Sequence, residues 1–512
     1  MKLNPKRFKG DAEEQDWLLP PSIGELVPEA HEARLVKEVV DTLDLSNLYA
    51  NYGWEGGEAF HPKILLRVLF YSYSVGQRSS RKIAKNCTDV VSYMYLANRK
   101  KPNFRTVSDF RKNNLGILQD LFKQIVQMCY HLGMIQIGQI SLDGTKVRAN
   151  ASSRKHIADR DKLEKELQRL EQQIAQMFDE AEAVDQQEDQ LYGEDSDGRA
   201  MPDELKKAQS RKEKIKELLS ELEVQKAKKM SLTDKEARFM KTTSGTKISY
   251  NGQVATENQV ILAHQLGNDE MDPGYLKPMV DELEHLAVTL KGKSEFPLEN
   301  VKASADSAYD STGNLIHLKE RKIEGYIPHR KARIQAKEAR GEILPKPFAK
   351  DKFQYDAEQD TYICPADQKL LRIEQKKKSN TRDTYKQIKY QVDACLSCQY
   401  QSECVKSKTG IRSVFRYEPY DDLREEIDAR LKQEKGKIIY KNRSTDVEPV
   451  FGDIKNNILG SGSFLLRGLN KAGGEFTLTC IAHNLKKIYN YIKCDENDKE
   501  LKNIKELAIK LV

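Results

Sequence analysis

The sequence predicts an α/β chain in which a mixed sheet with flanking helices follows an all-helical region and is interrupted by two insertions. Three observations carry this expectation. Helical apolar spacing dominates from about residue 30 to 131. Strand-like alternation then appears at 135–150 and returns at 247–267, 301–309 and 325–330. Between these strands lie two stretches of other character, one charged and heptad-like, the other lysine-rich with grouped cysteines. A chain of 512 residues is too long for one ordinary core, so two or three domains are expected.

Composition narrows the class. With 38% hydrophobic and 32% charged residues, the chain reads as a soluble globular protein with a heavily charged surface. No run of 18 apolar residues occurs, so no membrane span is expected. The start, MKLNPKRFKG, has basic residues without an apolar stretch behind them, which argues against a secretory signal and for the cytoplasm. Because 78 acidic residues nearly balance 85 basic ones, the net charge of +7 argues only weakly for nucleic acid. Local clusters must carry that argument.

In the helical region, Ile64, Leu65, Val68 and Leu69 share a face behind Pro62, which suits a first helical turn. SSRKIAKN (79–86) and TDVVSYMYLA (88–97) read as two short helices, and Thr106 with Asp109 resembles a capping pair for the next. Arg78, Arg81, Lys82, Lys85, Arg99, Lys100, Lys101 and Arg105 crowd these short helices. A solvated basic face would explain them; clustering on consecutive helices favours DNA contact.

The strand IQIGQISLDGTKVRAN follows and contains Asp143-Gly144. Leu163, Leu167, Leu170, Ile174 and Met177 then form a heptad seam, and Leu205, Ala208, Ile215, Leu219 and Leu222 resume a stripe after a polar break near 187–202. This predicts an antiparallel helical hairpin. It reads equally as a dimerising or DNA-clamping arm and as an inert insertion. KISYNGQVATE and NQVILAHQLG form a hairpin pair, a helix runs from about Pro273 to Leu290, VKASADSAY is a buried strand ending near Asp306, and GYIPHR is a short strand. Residues 331–435 break the rhythm, which returns at 437–457, where Pro449 suits the first turn of a helix.

With the insertions set aside, the order is strand, strand, strand, helix, strand, helix, strand, helix, which is that of the ribonuclease-H-like fold. Asp143 would sit on the first strand, Asp306 at the end of the fourth and Glu448 on the later helix, converging where open α/β sheets carry their sites. Phosphodiester cleavage uses carboxylates there: two divalent ions about 3.5–4 Å apart activate the nucleophile and stabilise the leaving oxygen, and hard Mg²⁺ prefers oxygen ligands. Asp143 would bridge the ions, with Asp306 and Glu448 completing one shell each. Of the neighbouring acids, Asp453 would point away from the Glu448–Lys455 face, and Asp446 would cap the helix start.

The stretches SLDGTKVRANAS, SADSAYDS and VEPVFGDIKNN resemble the three acid-bearing motifs of bacterial insertion-sequence DDE transposases. FHPKILLRVLFYSYSVGQRSSRKIA and PNFRTVSDFRK resemble that group's N-terminal helical domain, and LLRGLNKAGGEFTLTCIAHNLKKI its C-terminal helices. The resemblance implies binding of terminal inverted repeats, cleavage at the element's ends and joining of 3′-hydroxyls to target DNA. It also implies Mg²⁺ or Mn²⁺ at the three acids and a homodimer or larger assembly on double-stranded DNA. A tyrosine–arginine–glutamate–lysine signature carries over to Tyr440, Arg443, Glu448 and Lys455, with four residues between Arg443 and Glu448 where the better-known pattern has three. Ordinary helix-surface charge is the other explanation for Arg443 and Lys455. Two rivals remain: a DNA-binding derivative that no longer cuts, and a nuclease of the same fold without strand transfer.

Of eight cysteines, Cys364, Cys395, Cys398 and Cys404 are grouped; they suit one tetrahedral structural Zn²⁺ or stand as free thiols. The organisation expected is therefore a helical DNA-binding domain at 1–131 and a catalytic core of 132–154, 231–330 and 437–490. A helical-hairpin insertion at 155–230, a basic cysteine-containing insertion at 331–436 and a C-terminal helix at 491–512 complete it.

Overall fold

The computed structural model describes residues 22–52, 59–192, 203–292, 294–329, 331–344, 346–379, 384–460 and 462–494. The chain forms two compact units, residues 1–117 with 485–512, and residues 118–484. The expected C-terminal helix at 491–512 lies, beyond Cys494, outside the described residues.

The first unit begins with six helices: α1 (Glu32–Thr42), α2 (Ser46–Tyr49), α3 (Pro62–Ser74), α4 (Ser80–Asp89), α5 (Val91–Leu96) and α6 (Phe104–Asn113). Pro62 opens α3 because its fixed φ suits a first turn whose N–H has no helical partner anyway. Helix α3 is buried almost all round, as its run of apolar residues requires. The start of α6 differs from expectation. Asn103 caps it, its side chain accepting the Thr106 N–H at 2.9 Å, so Thr106 is the capped residue rather than the cap.

In the second unit, α7 (Leu118–His131) leads into β1 (Gln139–Arg148). Between them the chain is clamped by one carboxylate. Glu257 accepts the backbone N–H groups of Gln136, Ile137, Gly138 and Gln139 at 2.7–3.1 Å, and it is buried. Such a carboxylate satisfies four donors that no strand yet pairs.

The predicted helical hairpin is present. Strands β2 (Ile157–Asp159) and β3 (Lys229–Ser231) pair antiparallel at its root, and α8 (Arg160–Tyr192) and α9 (Asp203–Val224) form its arms. Ala158, Leu163, Ile215, Leu222 and Met230 make a small core of their own. Arg211–Glu166 and Lys212–Glu171 ion pairs flank it. The sequence's break near 187–202 falls mostly outside the described residues.

The main sheet adds β4 (Arg238–Thr242), β5 (Gly245–Glu257), β6 (Val260–Gly267), α10 (Leu276–Lys291), β7 (Lys302–Ala305), α11 (Thr312–Glu320) and β8 (Glu324–Tyr326). β1 pairs antiparallel with β5 on one side and parallel with β7 on the other, and β7 pairs parallel with β8. β4 and β6 both pair with β5. Asn258 and Gln259 turn the β5–β6 hairpin with φ of 53° and 63°, the left-handed pair that a two-residue turn needs.

The cysteine-containing insertion was expected only as a break in rhythm. It is a second, five-stranded antiparallel sheet. After α12 (Ala332–Ala339) come β9 (Gln354–Asp356), β10 (Thr361–Ile363), β11 (Lys369–Ser379), β12 (Thr384–Gln391), α13 (Gln401–Cys404) and β13 (Val414–Glu418), with order β13-β12-β11-β10-β9. Its strands are short or heavily charged, so apolar alternation is faint in them.

Helices α14 (Tyr420–Lys432), α15 (Glu434–Gly452) and α16 (Leu469–Cys494) close the chain, and a π-helical turn, Asp453–Ile458, extends α15. Pro449 lies inside α15, not in its first turn as expected. The Thr445 carbonyl, which Pro449 leaves without its helical donor, accepts from Gln259 Nε2 at 3.0 Å, so the helix continues. Asp446, expected as a cap, is likewise mid-helix, and its carboxylate accepts from the Thr256 hydroxyl at 2.8 Å.

Replacing Glu257 by Leu should destabilise the second unit by on the order of 3 kcal/mol, because buried donors lose a charged acceptor; a urea titration reads the shift. His264 gives a pH test. It packs edge-on against Phe122 and Phe476, its Nε2 has no partner, and burial holds its imidazole down to about 3. An unfolded histidine titrates near 6.5, so the unfolded chain binds the extra proton between these values. Stability should therefore fall as pH drops from about 6.5 towards 3, and His264→Leu should flatten that slope in pH-dependent denaturant melts.

Candidate active site

The parallel register of β1 and β7 sets Leu142 opposite Ala305, so Asp306, just past the end of β7, follows beside Asp143, which lies midway along β1. Asp306 caps the turn after β7, accepting the Ala308 N–H at 2.9 Å. Gly144 is required beside Asp143, because a Cβ there would run into the Gln253 amide and the Asp272 carboxylate.

Helix α15 lies against β1, β5, β7 and β8 and brings Arg443 to the acids. Arg443 Nη1 donates to Asp143 Oδ2 at 2.8 Å, and Asp143 Oδ1 accepts the Gly144 N–H, also at 2.8 Å. Burial pushes the Asp143 carboxyl above the usual aspartate range; Arg443 and the Gly144 amide oppose this, and the neighbouring Asp306 charge adds to it. Asp306 is raised by burial too, opposed by the Ala308 N–H and Arg443 and reinforced by Asp272. Tyr440 sits one turn before Arg443, its ring centre 5.8 Å from the guanidinium, and burial raises its phenol. Lys455, in the π-helical turn, is held below the usual lysine range by burial, and Asp143 is the charge that opposes this most. A π-turn commonly re-aims side chains at functional sites.

The structure thus brings Asp143, Asp306, Tyr440, Arg443 and Lys455 together. Glu448 stands exposed on α15, and among the described residues it makes no hydrogen bond or ion pair with them. No group of three or more His, Cys, Asp or Glu forms a ready ligand set among the described residues.

Five neighbours were not anticipated. Asp272 Oδ1 accepts from Lys146 Nζ at 3.1 Å, Asn251 Nδ2 at 2.7 Å and Gln253 Nε2 at 2.9 Å, and the Tyr309 hydroxyl donates to Gln253 Oε1. Tyr309 is raised well above the phenol range, first by burial and then by Asp272, Asp143 and Asp306. Asp272 follows a strand in an unremarkable loop sequence, and no local pattern distinguishes it from other surface acids.

Two family models match this chain. One, described as a transposase DDE domain, matches residues 363–489; the other, described as a transposase domain (DUF772), matches residues 21–113. Together the two matches support an insertion-sequence DDE-type transposase. No curated protein matches it. The first match includes Tyr440, Arg443, Glu448 and Lys455, and the second spans the basic cluster of α4 and α6.

In that cluster of the transposase, Arg81, Lys82, Lys85 and Arg105 are exposed, with Arg81 lying over the Phe104 ring and Lys85 3.7 Å from Asp89. Arg78 departs from the expected surface set. It is buried in the turn before α4, where its carbonyl accepts from Arg111 Nη1 at 2.9 Å. No helix among the described residues is long and apolar enough to cross a membrane.

Arg443→Met should leave two neighbouring half-buried carboxylates without their guanidinium and lower the thermal stability of the metal-free protein. Combining it with Asp143→Asn should recover much of that loss. A double-variant cycle is expected to give a coupling of about 2 kcal/mol between the two positions.

Proposed function

We propose that this transposase binds the terminal inverted repeats of its element, cleaves the DNA ends and joins the 3′-hydroxyls to target DNA. The observation that carries the reading is the placement of Asp306, just past β7, beside Asp143 within β1, with Arg443 and Lys455 converging on them. The sheet order, three antiparallel strands followed by two parallel ones with helices between, supports a ribonuclease-H-like core.

The paired carboxylates suit a divalent cation in donor chemistry, since they are hard oxygen ligands on rigid strands. Asp143 and Asp306 would hold Mg²⁺ or Mn²⁺, with Glu448 supplying the third carboxylate from α15. The ions supply activation of an oxygen nucleophile and stabilisation of the leaving oxygen. Arg443, released from Asp143, offers a planar two-pronged donor for a DNA phosphate. Lys455 adds a point charge, and Tyr440 backs the guanidinium. Exposed Arg81, Lys82, Lys85 and Arg105 would bind phosphates of the repeat through the helical unit. A homodimer or larger assembly would hold two ends together.

The test is incubation of the full chain with Mg²⁺ and duplex DNA carrying the element's inverted repeats. Specific 3′-end nicking followed by joining is expected. Binding without cleavage would overturn the reading in favour of a non-cutting DNA binder, and cleavage without joining would make it a nuclease. Asp143→Asn, Asp306→Asn and Glu448→Gln should each remove cleavage and leave repeat binding in gel shifts intact. Lys455→Ala should slow cleavage by roughly a hundredfold, as loss of a preorganised charge donor does.

A further inference from the structure

The β9–β13 sheet has a thin core. Phe353, Tyr362, Leu370, Ile388, Tyr390 and Val414 are its buried residues, and β11 from Leu371 to Lys377 is exposed at every position. Small modules with so little apolar burial generally need a covalent or metal staple. Packed against this core are Cys364 and Cys404, and together with Cys395 and Cys398 they line one cavity of about 30 Å³. That volume exceeds the roughly 10–15 Å³ that a single small occupant such as water needs. No His, Asp or Glu lines it, and Arg412 is its one charged wall residue.

The backbone at Cys364 adds a second sign. The chain turns tightly after β10, with the Cys364 N–H donating to the Gln368 carbonyl at 3.0 Å and Asp367 at φ of 57°. This turn aims the N–H groups of Ala366 and Gln368 at Cys364 Sγ, each at 3.4 Å. Two amide donors on one sulfur are the outer contacts that orient a metal ligand. Cys395 and Cys398 bracket a second turn, the Cys398 N–H donating to the Cys395 carbonyl at 3.4 Å, and Cys404 lies on α13 beyond it. All four sulfurs are free and half-buried. Among the described residues they do not form a closed ligand set, and closing it would turn side chains carried on short turns around a shared cavity.

We propose that Cys364, Cys395, Cys398 and Cys404 bind one Zn²⁺ as thiolates, and that the ion staples the β9–β13 sheet. Soft sulfur donors without carboxylates select Zn²⁺ over the hard cation proposed for the acids. Four Zn–S bonds form as the thiols release their protons to solvent, with no change of oxidation state. The site is independent of the transposition reading, since neither its ligands nor its test involves DNA.

The test uses the full chain purified under reducing conditions without chelator. Elemental analysis should give one zinc per chain, and Cys395→Ser with Cys398→Ser should abolish it, whereas Cys87→Ala, at a buried cysteine of the helical unit, should leave it at one. If the double variant does not fold, the natural chain still decides. Titration with a mercurial should release the zinc to a chromogenic chelator, and replacement by Co²⁺ should give intense thiolate charge-transfer absorption with tetrahedral visible bands. Protein without zinc that gives no such bands on adding Co²⁺ would overturn the proposal. So would a thiol count that falls short until a reductant is added, which would show disulfides in place of ligands.

Discussion

The ion pair between Arg443 and Asp143 joins residues 300 positions apart, and the site's architecture depends on it. Two half-buried carboxylates set side by side lose hydration and feel neighbouring acids, and the raised Asp143, beside Asp306, and Asp306, beside Asp272, record both effects. A guanidinium offsets part of that cost, because its charge is delocalised and poorly hydrated and so loses less on burial than an ammonium would. The pair also fixes the rotation of α15. With Arg443 turned to Asp143, Val447 and Val450 are buried, Asp446 meets Thr256, and Glu448 stands exposed. The same helix continues into the π-turn that carries Lys455, so one orientation serves both basic residues.

The two insertions leave the main sheet undisturbed because each has a core of its own. The helical hairpin springs from a two-stranded root and packs through Leu163, Ile215 and Leu222. The second insertion closes on aromatic contacts among Tyr355, Tyr362 and Tyr390, with Arg416 3.7 Å above the Tyr355 ring and paired with Asp422 and Glu425. The main sheet, by contrast, is built from distant partners: β1 pairs with β5, about a hundred residues later, and with β7 beyond that. Loop-closure entropy grows slowly with loop length, so a self-contained insertion costs the sheet little extra.

Much of this fold was legible because its elements have strong local periodicity. The β5–β6 hairpin, α3 behind Pro62 and the α8–α9 pair all follow from spacing that neighbours along the chain enforce. Asp306 was legible for the same reason, since it follows an apolar strand, whereas Asp143, expected to end its strand, lies midway along β1, which pairs with β5 as far as Arg148. The second sheet was not, because β9 and β10 have three residues each and β11 carries charge on both faces. The start of α15 was misplaced because Pro449 suggests a first turn, and only a side chain from the β5–β6 turn, Gln259, makes a proline tolerable there. Arg78 looked like part of a basic surface, yet the turn it occupies is enclosed by Arg111.

The sequence by itself determined the order of the main-sheet elements, one carboxylate on β1 and another just past β7, and the grouping of four cysteines, because these depend on residue type and short-range spacing. Only the tertiary structure decided that Arg443 would pair with Asp143, that Asp272 and Tyr309 would stand beside the acids, and that Cys364 would share a cavity with Cys395, Cys398 and Cys404. Those relations depend on strand register and helix rotation, which are settled by burying one face of each element against partners a hundred or more residues away.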